Sequence, residues 1–198
     1  MRWILPAVLL AAGTPAGAQT VAPREVTTSA IAAVEALGKR VVLGDHKAAI
    51  DSMYPQWKKR MAKRFGGIEK LEEQLEGIGE EMARNGVGII SFKTQGAPRV
   101  YEVWPGKPLD DGDAEAAPVF DKWLLLIPTV TQFRIMQGDP PQTYVINSHG
   151  FQVAIADKGR NNWSFINGSD VSVSDLRSLF ASLPANMELP PVKREVAD

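Results

Sequence analysis

The chain has no cysteine, only two histidines, and no long apolar run: the stretch from Trp3 to Ala12 is far short of the roughly 20 residues that a membrane-spanning helix needs. The lack of cysteine excludes disulfides, thiolate metal sites and cysteine nucleophiles, and leaves stability to packing. His46 and His149 are widely separated, and neither has a carboxylate at ligand spacing, so no metal site is expected from them. An excess of one charge is also missing, with 22 basic residues against 23 acidic ones. That balance argues against a nucleic-acid or anionic-membrane partner held through bulk charge.

What is present begins with MRWILPAVLLAAGTPAGA. One basic residue (Arg2), the apolar run, a Gly/Pro break and small residues Ala16 and Ala18 in A-x-A spacing give residues 1–18 the pattern of a secretory signal peptide cleaved before Gln19. The expectation is an exported protein, periplasmic or secreted, soluble after removal of the peptide and without a membrane span in the mature chain. Arg2 is the only charge removed, so the remaining 180 residues carry a net charge near −2. That length suits one domain with its own core.

Residues 19–28, QTVAPREVTT, are polar and broken by proline, and read as a flexible leader. From Ser29 the spacing is helical, with Ile31, Val34, Gly38 and Val41 on one face. Gly44-Asp45 interrupts it, glycine suiting a helix end and Asp45 the cap of the next piece. Ala48, Ile50, Met53 and Tyr54 continue in a new direction until Pro55 imposes a second bend. WKKRMAKRFGG ends a further helix at Gly66-Gly67. Ile68, Leu71, Leu75, Ile78 and Met82 then form the seam of an amphipathic helix closed by Asn85-Gly86, with Gly77 and Gly79 marking close approach of a neighbour.

After Gly86 the period becomes that of strands: VGIISFKT, RVYEVW, KWLLLIPTVTQFRIM, TYVINSHGFQVAIA and NNWSFIN, interrupted by the acidic loop PGKPLDDGDAEAAP. Trp123 to Ile127 is apolar on both faces and alternation sharpens from Thr129, which predicts a strand covered on both sides at its start and half-exposed at its end. Ser172 and Asp175 stand in capping-box spacing before Leu176, Leu179 and Phe180, predicting a short helix. Residues 185–198 read as a tail. Helices first, then an antiparallel meander, then one short helix make an α+β domain over residues 29–184.

The bent helix with GD near its middle, the following MYP, FGGIEKLEEQL, MARNGVGI, the proline inside WLLLIPT, and NNWSFINGSDVSVSDLRSLFASLP together resemble exported members of the nuclear-transport-factor-two-like superfamily, over residues 29 to 191. The resemblance implies bent N-terminal helices packed on a strongly curved, cone-like antiparallel sheet. It does not fix an activity, because that fold hosts isomerases, dehydratases, cyclases, transport adaptors and plain binding domains.

His46 and Asp51 are five apart and do not share a helix face. His149 reads as a strand or bulge residue. KKRMAKR and the glutamates from Glu69 to Glu81 read as solvated helix faces. The leading expectation is a non-enzymatic binding or accessory module, without cofactor or metal, that holds a small apolar ligand in the cone or a protein partner on the sheet. Ligand contacts are expected from the aromatic residues Tyr54, Trp57, Trp123 and Phe133. One alternative is a cofactor-free isomerase or hydrolase using Asp51 with Tyr54 as catalytic residues. Another is a homodimeric envelope component paired through its sheet face.

Overall fold

A computed structural model describes residues 20–105 and 119–197. The expected signal peptide and most of the acidic loop lie outside the described residues.

The helices are α1 (Arg24–Val42), α2 (Lys47–Asp51), α3 (Pro55–Phe65) and α4 (Ile68–Arg84), followed by five strands, β1 (Val87–Thr94), β2 (Arg99–Val103), β3 (Lys122–Gln137), β4 (Gln142–Asp157) and β5 (Ser164–Asn167), then α5 (Val173–Leu179) and β6 (Lys193–Val196). The break after α1 has Gly44 at a φ of 89°, and the Asp45 carboxylate caps α2 by accepting from the Ala48 N–H at 3.2 Å. Pro55 opens α3, where a missing N–H costs nothing, and Gly66 closes it in the left-handed conformation.

Two expectations at the ends are corrected. The leader is helical from Arg24, because Val26 lies one turn before Ala30 and packs against the same apolar cluster. The tail supplies β6, which pairs with β4 from Ile146↔Val196 to His149↔Lys193. Without it the distal half of β4 would present a bare row of backbone donors and acceptors.

The sheet has six strands, all pairing antiparallel, with β3 and β4 at its centre. These two are sixteen residues each and pair along their whole length, from Lys122↔Asp157 to Gln137↔Gln142. Their neighbours are shorter, so each side is served twice: β2 and β1 along β3, β5 and β6 along β4.

Alternation on β3 separates two cores. Leu124 and Leu126 join Phe151, Val153 and Ile155 beneath α3 and α5, with Tyr54, Trp57, Leu176 and Phe180. Trp123, Leu125 and Ile127 join Ala154 and Phe165 beneath α1, with Ala30 and Val34. A strand apolar on both faces needs cover on both, and the helices divide between the two faces. Beyond Thr129, β3 becomes half-buried and then exposed, as its alternation predicts.

The capping box forms. Ser172 Oγ accepts from the Asp175 N–H at 3.1 Å, and the Asp175 carboxylate accepts from the Ser172 N–H at 3.1 Å. The Ser172 hydrogen bond, and then the nearby Arg64 and Arg60 guanidinium groups, hold the Asp175 carboxyl below its ordinary 3.8. Its stabilising contribution is therefore complete above the unfolded-state value and lost as pH falls through the lower folded-state value. Ser172→Ala is expected to cost about 1 kcal/mol in urea unfolding. An unchanged midpoint would show the cap to be idle.

Candidate ligand cavity

Where the sheet leaves its doubly covered region, the C-terminal half of α1 bridges a gap of about 300 Å³. Leu37, Val41 and Val42 of α1 line it, together with Ala49 and Met53 around α2 and Leu75 of α4. The floor is Ile89 and Phe92 of β1 and Thr131 and Phe133 of β3. Register explains the grouping: Ile89↔Phe133 and Phe92↔Thr131 are direct cross-strand partners. A bulge at Ile90 keeps Ile89 and Phe92 on one face despite their odd spacing. Gly38 lets the Phe92 ring lie against α1, since a Cβ there would stand 2.0 Å from Phe92 Cδ1.

Apart from Thr131 in the floor, the polar side chains of the lining come from β4, β5 and the turn after β5. Gln152 faces α1 in an otherwise apolar row, opposite Ile127. Asn167 and Asp170 are exposed at the margin, where Asn167 Nδ2 donates to Asp170 Oδ2 at 3.0 Å. No lysine, arginine or histidine is among the lining residues.

Of the four aromatic residues expected to hold a ligand, Phe133 lines this cavity. Tyr54 and Trp57 lie across the sheet in the α3–α5 core, the Tyr54 ring centroid 5.5 Å from that of Phe180. Trp123 packs in the α1 core with the Lys158 ammonium 4.9 Å from its ring centroid. Asp51 is exposed on α2 while Tyr54 is buried. Burial, reinforced by the charges of Asp121 and Asp157, pushes the Tyr54 phenol up to about 12. It stays protonated at neutral pH.

Both histidines make contacts within the fold. The His46 ring packs on Gly79, where a Cβ would meet its Cδ2 at 2.6 Å. His149 lies within β4, its Nε2 2.9 Å from Glu195 of β6 and its Nδ1 3.0 Å from Gln95. Among the described residues no group of three His, Cys, Asp or Glu side chains could hold a metal ion, and no helix is long and apolar enough to cross a membrane.

No protein-family model, curated protein or solved structure matches this chain.

Sequence reasoning missed Leu37, Val41, Phe92, Gln152 and Asn167 as cavity residues. One signal was available: Gln152 is the single polar residue in FQVAIA, on the face that the apolar residues of α1 cover.

Proposed function

We propose that this protein is an exported, non-catalytic binding module that holds a small apolar ligand between α1 and the sheet. The supporting observation is the cavity of about 300 Å³, whose walls are chiefly aliphatic and aromatic with a few polar groups at one end. That composition is typical of small-ligand sites, at the lower end of their size range. An acid-driven reaction is less well supported, because the carboxylate in the lining, Asp170, is exposed at the margin. Export rests on the N-terminal pattern. Membership of the nuclear-transport-factor-two-like superfamily rests on the sequence motifs.

Titration with 1-octanol, followed by calorimetry or by NMR shifts of cavity residues, is expected to show saturable one-to-one binding. Leu37→Trp, which fills the space from α1, is expected to weaken it at least about tenfold, or 1.4 kcal/mol, without lowering the melting temperature. Absence of saturable binding to the unmodified protein would sink the reading, and unchanged binding by Leu37→Trp would place the ligand elsewhere.

A further inference from the structure

We infer that the cavity selects the head group of its ligand: a small amphiphile whose head donates hydrogen bonds, as a hydroxyl or an ammonium does, and not a carboxylate or phosphate. This rests on the ligand-cavity reading above and adds the chemical class.

The polar end of the lining carries one carboxylate, Asp170, and no basic group. An ionised carboxylate only accepts. One Asp170 oxygen receives Asn167 Nδ2 at 3.0 Å, and the other has only the Ser169 hydroxyl at 3.4 Å. Both partners are neutral, so the negative charge is not cancelled. Asn167 Oδ1 already accepts from the Ser169 N–H at 3.4 Å, and its amide nitrogen is directed to Asp170. Asn167 therefore has little left to offer an anion. Gln152 and Thr131 can each donate or accept, and impose no sign. Arg40, beside the lining residues Val41 and Val42, is turned to Asp45, with Nη2 2.7 Å from the carboxylate, and does not serve the cavity.

An acidic head placed here would meet a like charge with no cation among the lining residues to offset it. A hydroxyl can donate to the underused Asp170 oxygen, and an ammonium adds charge attraction. The volume of about 300 Å³, at the lower end for small-ligand sites, suits a short tail such as an eight-carbon chain.

The test titrates the protein at pH 7.5 with octylamine, 1-octanol and sodium octanoate, each below its micelle concentration. Octylamine is expected to bind at least as tightly as octanol, and both at least tenfold more tightly than octanoate. Asp170→Asn, an exposed change that keeps an acceptor oxygen, is expected to bring octylamine down towards octanol and to raise octanoate. Octanoate binding as tightly as octylamine would overturn the head-group inference while leaving the cavity reading intact. So would an Asp170→Asn variant with the original order. Saturable binding by none of the three would overturn the cavity reading, and this inference with it.

Discussion

Trp57→Ala is expected to lower the unfolding free energy by about 3–5 kcal/mol. The ring is 2 % exposed in the core beneath α3 and α5, so truncation removes a large apolar area and leaves a hole that fixed strands cannot close. The same ring is a platform for two cations. Arg60 and Arg64 stand 5.7 and 5.8 Å from its centroid, and both guanidinium groups reach Asp175, at 3.6 and 3.5 Å. Such cation–π contacts contribute about 0.5–1 kcal/mol each at exposed sites, so burial dominates the loss and the arginines add to it. Urea unfolding measures the total. A loss below about 1 kcal/mol would mean that Trp57 is not a core residue. Trp57→Phe separates packing from binding: it keeps most of the core, and since Trp57 lies across the sheet from the cavity, the octanol affinity is expected to stay unchanged.

Why sequence reasoning chose Trp57 as a ligand contact is instructive. Aromatic residues on a helix and on the strands it covers were all assigned to one interior, that of the expected cone. Two apolar faces on Trp123 to Ile127 already required cover on both sides, and in the folded chain that cover comes from α1 on one face and from α3 and α5 on the other. Local signals were legible because they are local: the Gly44-Asp45 break, Pro55 at the start of α3, the Gly66 stop, and the Ser172–Asp175 box depend on neighbours a few residues away. The strands and their antiparallel order were legible from period and turn spacing. Which helix meets which face was not. It depends on chain crossings such as the Tyr54 N–H donating to the Phe165 carbonyl at 2.8 Å, by which the segment between α2 and α3 passes the edge of β5. The same limit hid the cavity, whose lining comes from elements throughout the chain and meets only through register. It also hid β6, since KREV has little strand character until the unpaired edge of β4 offers it a ladder.

Gly168→Ala and Gly38→Ala add the same methyl group at two crowded positions, and the outcomes are expected to diverge. At Gly168 the new Cβ would stand 2.4 Å from the Phe151 carbonyl oxygen and 2.6 Å from Cγ and Cδ1 of its ring. That oxygen belongs to the backbone of the central strand β4, and Phe151 is 2 % exposed, so neither obstacle can withdraw. Gly168→Ala is expected to cost about 1–3 kcal/mol or more through forced displacement of β5 and the following turn, seen as a lower urea midpoint. At Gly38 the obstacle is the Phe92 ring, whose Cδ1 would be 2.0 Å away. Phe92 borders the cavity of about 300 Å³, so its ring has room to swing. Alanine in the interior of α1 also gains about 1 kcal/mol of helix propensity over glycine. The two effects offset, and Gly38→Ala is expected to unfold within about 1 kcal/mol of the unmodified protein. Its consequence falls on binding instead: the displaced ring occupies space that the ligand tail needs, and octanol affinity is expected to fall at least about tenfold. A Gly38→Ala variant as unstable as Gly168→Ala would mean that the ring has no room to move, and that the space beside α1 is not open. A stable Gly38→Ala variant with full octanol affinity would mean that the ligand does not share its site with Phe92.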